Sequence, residues 1–199
     1  IESAELAIPI ARKFGTLIKY ENKNYEGISV QGTLSEYGLT PAGAILDGRF
    51  FSQTEDKYGA NVVVFAYNAY NTIFPKGDGI GKTVKINGNK FYVIGVVKKQ
   101  GTALLDFVDN QVFIPLSNFL GCFGKFRRSL SIGVKAGNPE MLDEVRTETI
   151  GIMRGIRGLE PWEEDDFSIN ETKTFEKSTD TFRLYVWGIG IGMTVLSFI

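Results

Sequence analysis

The sequence predicts an α+β protein in which strand–helix–strand material from the two chain ends encloses a β-rich middle. Three observations predict it. Short apolar or alternating runs recur across residues 61–97 and 111–115, bounded by Gly, Pro, Asn or Asp as strands require. A long helical pattern appears only late, where Leu142, Val145, Thr149, Ile152 and Ile156 step by three and four residues. Between two of the strand-like runs lies Asn87-Gly88, the strongest short hairpin signal.

In chain order, residues 12–20 and 25–34 read as a hairpin turned by Glu21-Asn22-Lys23-Asn24. A loop-rich passage then reaches Asp47-Gly48-Arg49-Phe50-Phe51. Ser52 with Glu55 three residues on has capping-box spacing and starts a short helix. Asn61–Ala66 is a continuous apolar run of buried-strand length. Tyr67–Phe74 reads as a short helix ended by Pro75, because the residue before proline disfavours the helical backbone. Lys82–Ile86 and Phe91–Val97 form the Asn87-Gly88 hairpin, the second strand apolar on both faces and therefore central. Gln111–Pro115 is a further strand, and Arg128–Lys135 alternates as a half-buried one. Asn138-Pro139-Glu140 supplies an N-cap, a proline for the first turn and a favourable charge, and Gly155 and Gly158 end the helix. Asp166–Asn170 reads as a last short strand, with a helix from Glu171 onward. The patterning thus sets residues 1–35 and 125–180 apart from a middle at 36–124.

At 199 residues, with 43% hydrophobic and 23% charged residues, the chain has an ordinary folded composition, enough for one large domain or two small ones. A net charge of −1 offers no basic field for nucleic acid. Cys122 is the one cysteine, so no internal disulfide forms; its apolar neighbours predict a buried structural thiol. Histidine is absent, which removes Ser-His-Asp and Cys-His chemistry and the commonest zinc and iron sites.

Phe74-Pro75-Lys76-Gly77-Asp78-Gly79-Ile80-Gly81-Lys82-Thr83 ends in the Gly-Lys-Thr of a phosphate-binding loop. The motif needs a glycine five residues before Gly81, and that residue is Lys76. Thr83–Ile86 then alternates like a strand instead of opening the helix a phosphate needs. A turn into a hairpin is the reading. Glu160, Glu163, Glu164, Asp165 and Asp166 match no calcium-loop spacing and read as a solvated acidic loop. Asp106 and Asp109 could form an acid/base pair, but no nucleophile or electrophile stands near them in sequence. Asn170-Glu171-Thr172 is a glycosylation sequon, relevant only in a eukaryotic secretory setting. No catalytic, cofactor-binding or metal-ligating residue is assigned.

The chain opens on Ile1 without an initiator Met, as a fragment or processed form would. Leu184–Ile199 carries no charge, follows Arg183, and holds Tyr185 and Trp187 at its start and a Gly188-x-x-x-Gly192 pair. It is expected to be the truncated start of a transmembrane helix; the alternative is a buried C-terminal helix.

Gly48-Arg49-Phe50-Phe51-Ser52, Glu55-Asp56, Val62-Val63-Val64, Phe74-Pro75 with Asp78-Gly79-Ile80-Gly81-Lys82, Phe91–Val97 and Ile114-Pro115 resemble, in order and spacing, the extracytoplasmic core domain of MacB-type, FtsX-like ABC transporter permeases. Asp165–Ile169 ahead of the apolar end fits as the return to a second membrane helix. The resemblance implies a porter-like subdomain built from 1–35 and 125–180, an inserted β-rich lobe at 36–124, and a second transmembrane helix starting at 184–199. It implies a cell inner membrane location facing the periplasm or cell exterior, and no enzymatic activity in this chain. It further implies a separate ATP-binding cassette subunit or domain, a second permease copy, and in some members a periplasmic adaptor with an outer-membrane duct. Members of the family export drugs, peptides or toxins, move lipoproteins, or regulate cell-wall hydrolases. A free-standing periplasmic binding module, or a cell-wall or lipid enzyme using Asp106, Asp109 or the acidic loop, are the other readings.

Overall fold

The computed structural model describes residues 4–101, 106–124 and 130–170. Two compact units emerge, one within residues 4–137 and one whose described part is residues 138–170.

The first unit is one eight-stranded sheet. Its strands are β1 (Ala4–Tyr20), β2 (Lys23–Thr33), β3 (Ile45–Gly48) and β4 (Val62–Phe65). They continue as β5 (Thr83–Ile86), β6 (Asn89–Val97), β7 (Gln111–Pro115) and β8 (Leu130–Ala136). Hydrogen-bonded pairing runs β1–β2, β2–β7, β7–β4, β4–β6, β6–β5 and back from β5 to β1. The sheet therefore closes on itself as a small barrel and leaves those strands no free edge. β3 joins the outside of the circuit beside β6, and β8 pairs with the N-terminal half of β1. β1 changes partner at Ala11, which faces both Leu130 of β8 and Gly32 of β2.

The sequence signals explain most of these elements. Asn87 and Gly88 both take positive φ (48° and 83°), the geometry of a two-residue hairpin matched to strand twist. The β1–β2 turn is tighter than expected, with Glu21 at φ 49° and β2 already under way at Lys23. β4 is buried on both faces, because alternate residues feed two cores. Val63 and Phe65 join Ile18, Ile28, Val84, Phe91 and Ile114 on the closed side. Val62 and Val64 face Tyr37, Phe51, Ile94 and Phe113 on the other.

Three short helices serve this sheet: α1 (Gln53–Lys57), α2 (Tyr67–Ile73) and α3 (Leu116–Phe123). α1 starts with the expected capping box between Ser52 and Glu55. α2 carries Ala69, Tyr70 and Ile73 into the closed core and stops one residue before Phe74. α3 had no sequence signal, since Pro115 stands at its N-cap and Gly121 lies within it. Its Phe119 is fully buried and packs so closely on β2 that a Cβ at Gly32 would lie 2.4 Å from it. β3 also went unread, because only its pairing with β6 makes Ile45–Gly48 a strand.

β8 is a strand as expected, yet Leu130 and Ile132 are 56% and 54% exposed, so its apolar face is more open than the alternation implied. In the second unit, a tight turn of 3₁₀ type over Pro139–Met141 precedes α4 (Leu142–Arg157). Gly158 closes α4 in the left-handed conformation at φ 67°. The strand expected at Asp166–Asn170 does not form: that stretch is irregular. Asp165 and Asp166 turn toward Arg154 and Arg157 of α4, which draws the backbone into a loop held by side chains. The helix expected from Glu171 and the apolar run at 184–199 lie outside the described residues.

Candidate functional site

The Gly-Lys-Thr loop can be judged by where its backbone donors go. Gly77 N–H donates to Phe74 O at 2.9 Å, Gly81 N–H to Val93 O at 2.9 Å, and Lys82 N–H to Gly79 O at 3.1 Å. Gly79 N–H donates to the hydroxyl of Tyr70 at 2.9 Å, and that hydroxyl donates to Gly77 O at 2.9 Å. A phosphate cradle needs those N–H groups free and convergent. Here they are spent inside the turn. Lys82 is also committed, its ammonium 2.6 Å from Asp78 and 5.7 Å from the Tyr20 ring centroid. The ion pair raises the Lys82 pKa and lowers that of Asp78, as mutual stabilisation of two charges requires. Gly79 itself is dictated by packing, because a Cβ there would lie 2.4 Å from the Phe74 ring.

The Gly48–Glu55 motif is likewise structural. Arg49 holds Glu55 through two hydrogen bonds of 2.6 and 2.7 Å, while Glu55 accepts from Ser52 N–H at 2.8 Å. The guanidinium and the cap together hold the Glu55 carboxyl down at about 2, well below its ordinary range. The backbone beside this pair presses on β6: a Cβ at Gly95 would lie 2.2 Å from Arg49 O. Only glycine fits there.

Asp109 is fully buried and accepts from the N–H groups of Gln100 and Gly101, both at 2.9 Å. Both oxygens thus tie the incoming loop to its exit, a structural use for a fully buried carboxylate. The side chain of Asp106 lies outside the described parts of the chain, so of the two carboxylates weighed as a pair only Asp109 is placed. Cys122, expected buried, is half-buried; its Sγ accepts from Asn89 Nδ2 at 3.3 Å, and burial raises its pKa. A raised thiol is a poor nucleophile at neutral pH.

The acidic loop reads as solvated and arginine-bound: Asp165 pairs with Arg154, and Arg157 lies 3.6 Å from Asp166. Among the described residues no group of three or more His, Cys, Asp or Glu side chains is arranged to hold a metal. Open clefts are present among the described residues, and two of them are as follows. One, of about 780 Å³, runs between α1 and α3 over Leu34, Leu116 and Leu120, with Glu36 and Asp56 at its side. Partial burial raises the Asp56 pKa although its carboxylate accepts from Ser35 N–H at 3.0 Å. The other, of about 560 Å³, is amide-rich, lined by Asn24, Asn68 and Asn110 beside Tyr25. In the first cleft the Ser117 hydroxyl donates to the backbone O of Asp56 at 3.3 Å and not to a carboxylate that could activate it. Both clefts suit contact better than chemistry.

Comparison with known proteins identifies the family of the chain. Residues 1–151 match the family described as the MacB-like periplasmic core domain. The chain belongs to that family. Its relatives include the macrolide export ATP-binding/permease protein MacB of Chlorobium phaeobacteroides, 29% identical over 161 residues, which cover 80% of this chain and 24% of the relative. The protein of the same name from Marinobacter nauticus is 25% identical across 96% of this chain and 29% of its own length. This chain thus spans about a quarter of these relatives' length. The periplasmic region of MacB from Actinobacillus actinomycetemcomitans has the same fold, at a TM-score of 0.74 and 22% identity over 90% of this chain and 78% of that one. The extracellular domain of the transporter YknZ superposes at 0.67, with 19% identity over 80% of each chain. In this MacB-like core domain the mixed α+β fold is as expected, and the six sequence motifs that pointed to the family are its turns, caps and central strands.

Proposed function

We propose that this core domain is the extracytoplasmic part of an ABC transporter permease and works without catalysis of its own. The family match over residues 1–151 carries the reading, together with relatives that are ATP-binding/permease proteins. ATP hydrolysis belongs to a cytoplasmic cassette; its cycle moves the membrane helices, and this domain converts that motion into a change of shape facing the periplasm. The transported class is a drug, peptide, toxin or lipoprotein, and the working unit contains two permease copies. Residues 184–199 begin the second membrane helix in the inner membrane. Two subdomains are part of the reading, a porter-like one from residues 1–35 and 125–180 and an inserted lobe at 36–124. The engaged amides of the Gly77–Lys82 turn support a body that is driven and does not bind nucleotide.

Calorimetric titration of this chain with Mg–ATP tests it. The expected outcome is no saturable heat; saturable binding at micromolar nucleotide would overturn the reading.

A further inference from the structure

The register of three antiparallel strands places like charges in a row. Lys90 of β6 faces Lys85 of β5, and Lys85 faces Lys19 of β1. Residues directly opposite in a ladder point to the same side of the sheet. The adjacent pairs Ile18–Ile86 and Val84–Phe91 are buried in the core, so the lysines project outward, and all three are exposed. Strand spacing of about 4.8 Å puts their Cα atoms across about 10 Å. Asn24 of β2 extends the row beyond Lys19, and Tyr92 with Thr83 forms the next row on the same face. Among the described residues, none of the three ammonium groups has a carboxylate partner. Like charges directly opposite destabilise a sheet. Lys19–Lys85 is one of only two registered pairs that close β1 onto β5.

We infer that the Lys19–Lys85–Lys90 strip is a docking surface for an acidic segment of a partner protein. Charge complementarity selects the class, and geometry selects among acidic partners. Membrane surfaces are held by clusters of about four to eight basic residues, whereas this strip is three charges in a single line. Two or three carboxylates on one peptide segment match its length. The Asn24 amide and Tyr92 hydroxyl at its sides can bond a peptide backbone. The strip stands on strand register alone and does not depend on the transport reading.

The test is an NMR titration of the ¹⁵N-labelled chain with a terminally blocked hexaglutamate peptide, run in parallel with vesicles containing phosphatidylglycerol. The expected result is amide shifts confined to residues 17–24 and 83–92. Binding should weaken by about tenfold when salt rises from about 50 to about 300 mM, as screening of exposed charges requires. Replacing the strip by K19Q/K85Q/K90Q removes the shifts and raises the melting midpoint by about 1–3 °C. The K19R/K85R/K90R variant, which keeps the charge, retains binding. Shifts located elsewhere, unchanged binding in the glutamine variant, lost binding in the arginine variant, or response to vesicles but not to peptide would each overturn the proposal.

Discussion

The centre of the sheet and the seam where it closes are built in opposite ways. β4 and the Val93–Val97 part of β6 are buried on both faces and lie between two cores, so every side chain of β4 is buried. Between β1 and β5 the ladder has two registered pairs, one apolar and one of two lysines. Central strands gain from burial on both sides, at roughly 25 cal/mol per Å² of apolar surface. The seam gains a few hydrogen bonds and loses part of that to repulsion. The contrast separates a doubly buried middle that holds the fold from a thinly paired margin with exposed charge. Under the proposed function, in which the domain passes motion on without chemistry of its own, that is a useful division of labour.

The largest effect is expected at the centre. Phe65 is fully buried, with ring centroids 5.8 Å from Phe74 and 6.2 Å from Tyr70. Phe65→Ala should cost about 3–5 kcal/mol, read as a lower urea midpoint at unchanged slope. A loss below about 1 kcal/mol would mean the two cores do not share β4 as described.

An intermediate effect is expected where the Gly48–Glu55 motif anchors the flank of the centre. The Glu55 carboxyl titrates at about 2 in the folded protein against an ordinary 4.5. A depressed carboxyl contributes stability above its unfolded value and loses it as pH falls through the folded one. Arg49 is 56% exposed, so solvent screens much of the pair, and the contribution is about 1 kcal/mol. Stability should therefore drop between about pH 5 and pH 2, and Glu55→Gln should flatten that part of the profile. An unchanged profile in the variant would remove the ion pair from the account.

The smallest effect carries the opposite sign. Lys85→Thr places a β-branched residue on the exposed face and relieves two repulsions, so stability should rise by about 0.2–1 kcal/mol. A loss of stability would show that the seam depends on Lys85 and is not strained by it.

The residues that carry the centre were legible from sequence because their signals are local. Asn87-Gly88 demands a particular turn, Ser52 and Glu55 cap each other, and Val62–Val64 can only be buried. Closure of the barrel was not legible. It rests on β1 reaching β5 across more than sixty residues, and on β2 lying parallel to β7, and no local pattern encodes either. The expected strand at Asp166–Asn170 misled because alternation is blind to Arg154 and Arg157 a dozen residues earlier. The lysine strip was invisible for the same reason: its members are 66 and 5 positions apart in sequence and become neighbours only through register.

Hydrogen–deuterium exchange on the full-length permease with its ATPase distinguishes a buried centre that keeps its shape from a seam that responds to the proposed cycle. Exchange is compared between the nucleotide-free and vanadate-trapped states. The amides of β4 and β6 should stay equally protected in both, while those of residues 17–20 and 83–87 change. Altered protection in β4 and β6, or no difference anywhere in the domain, would contradict that distinction.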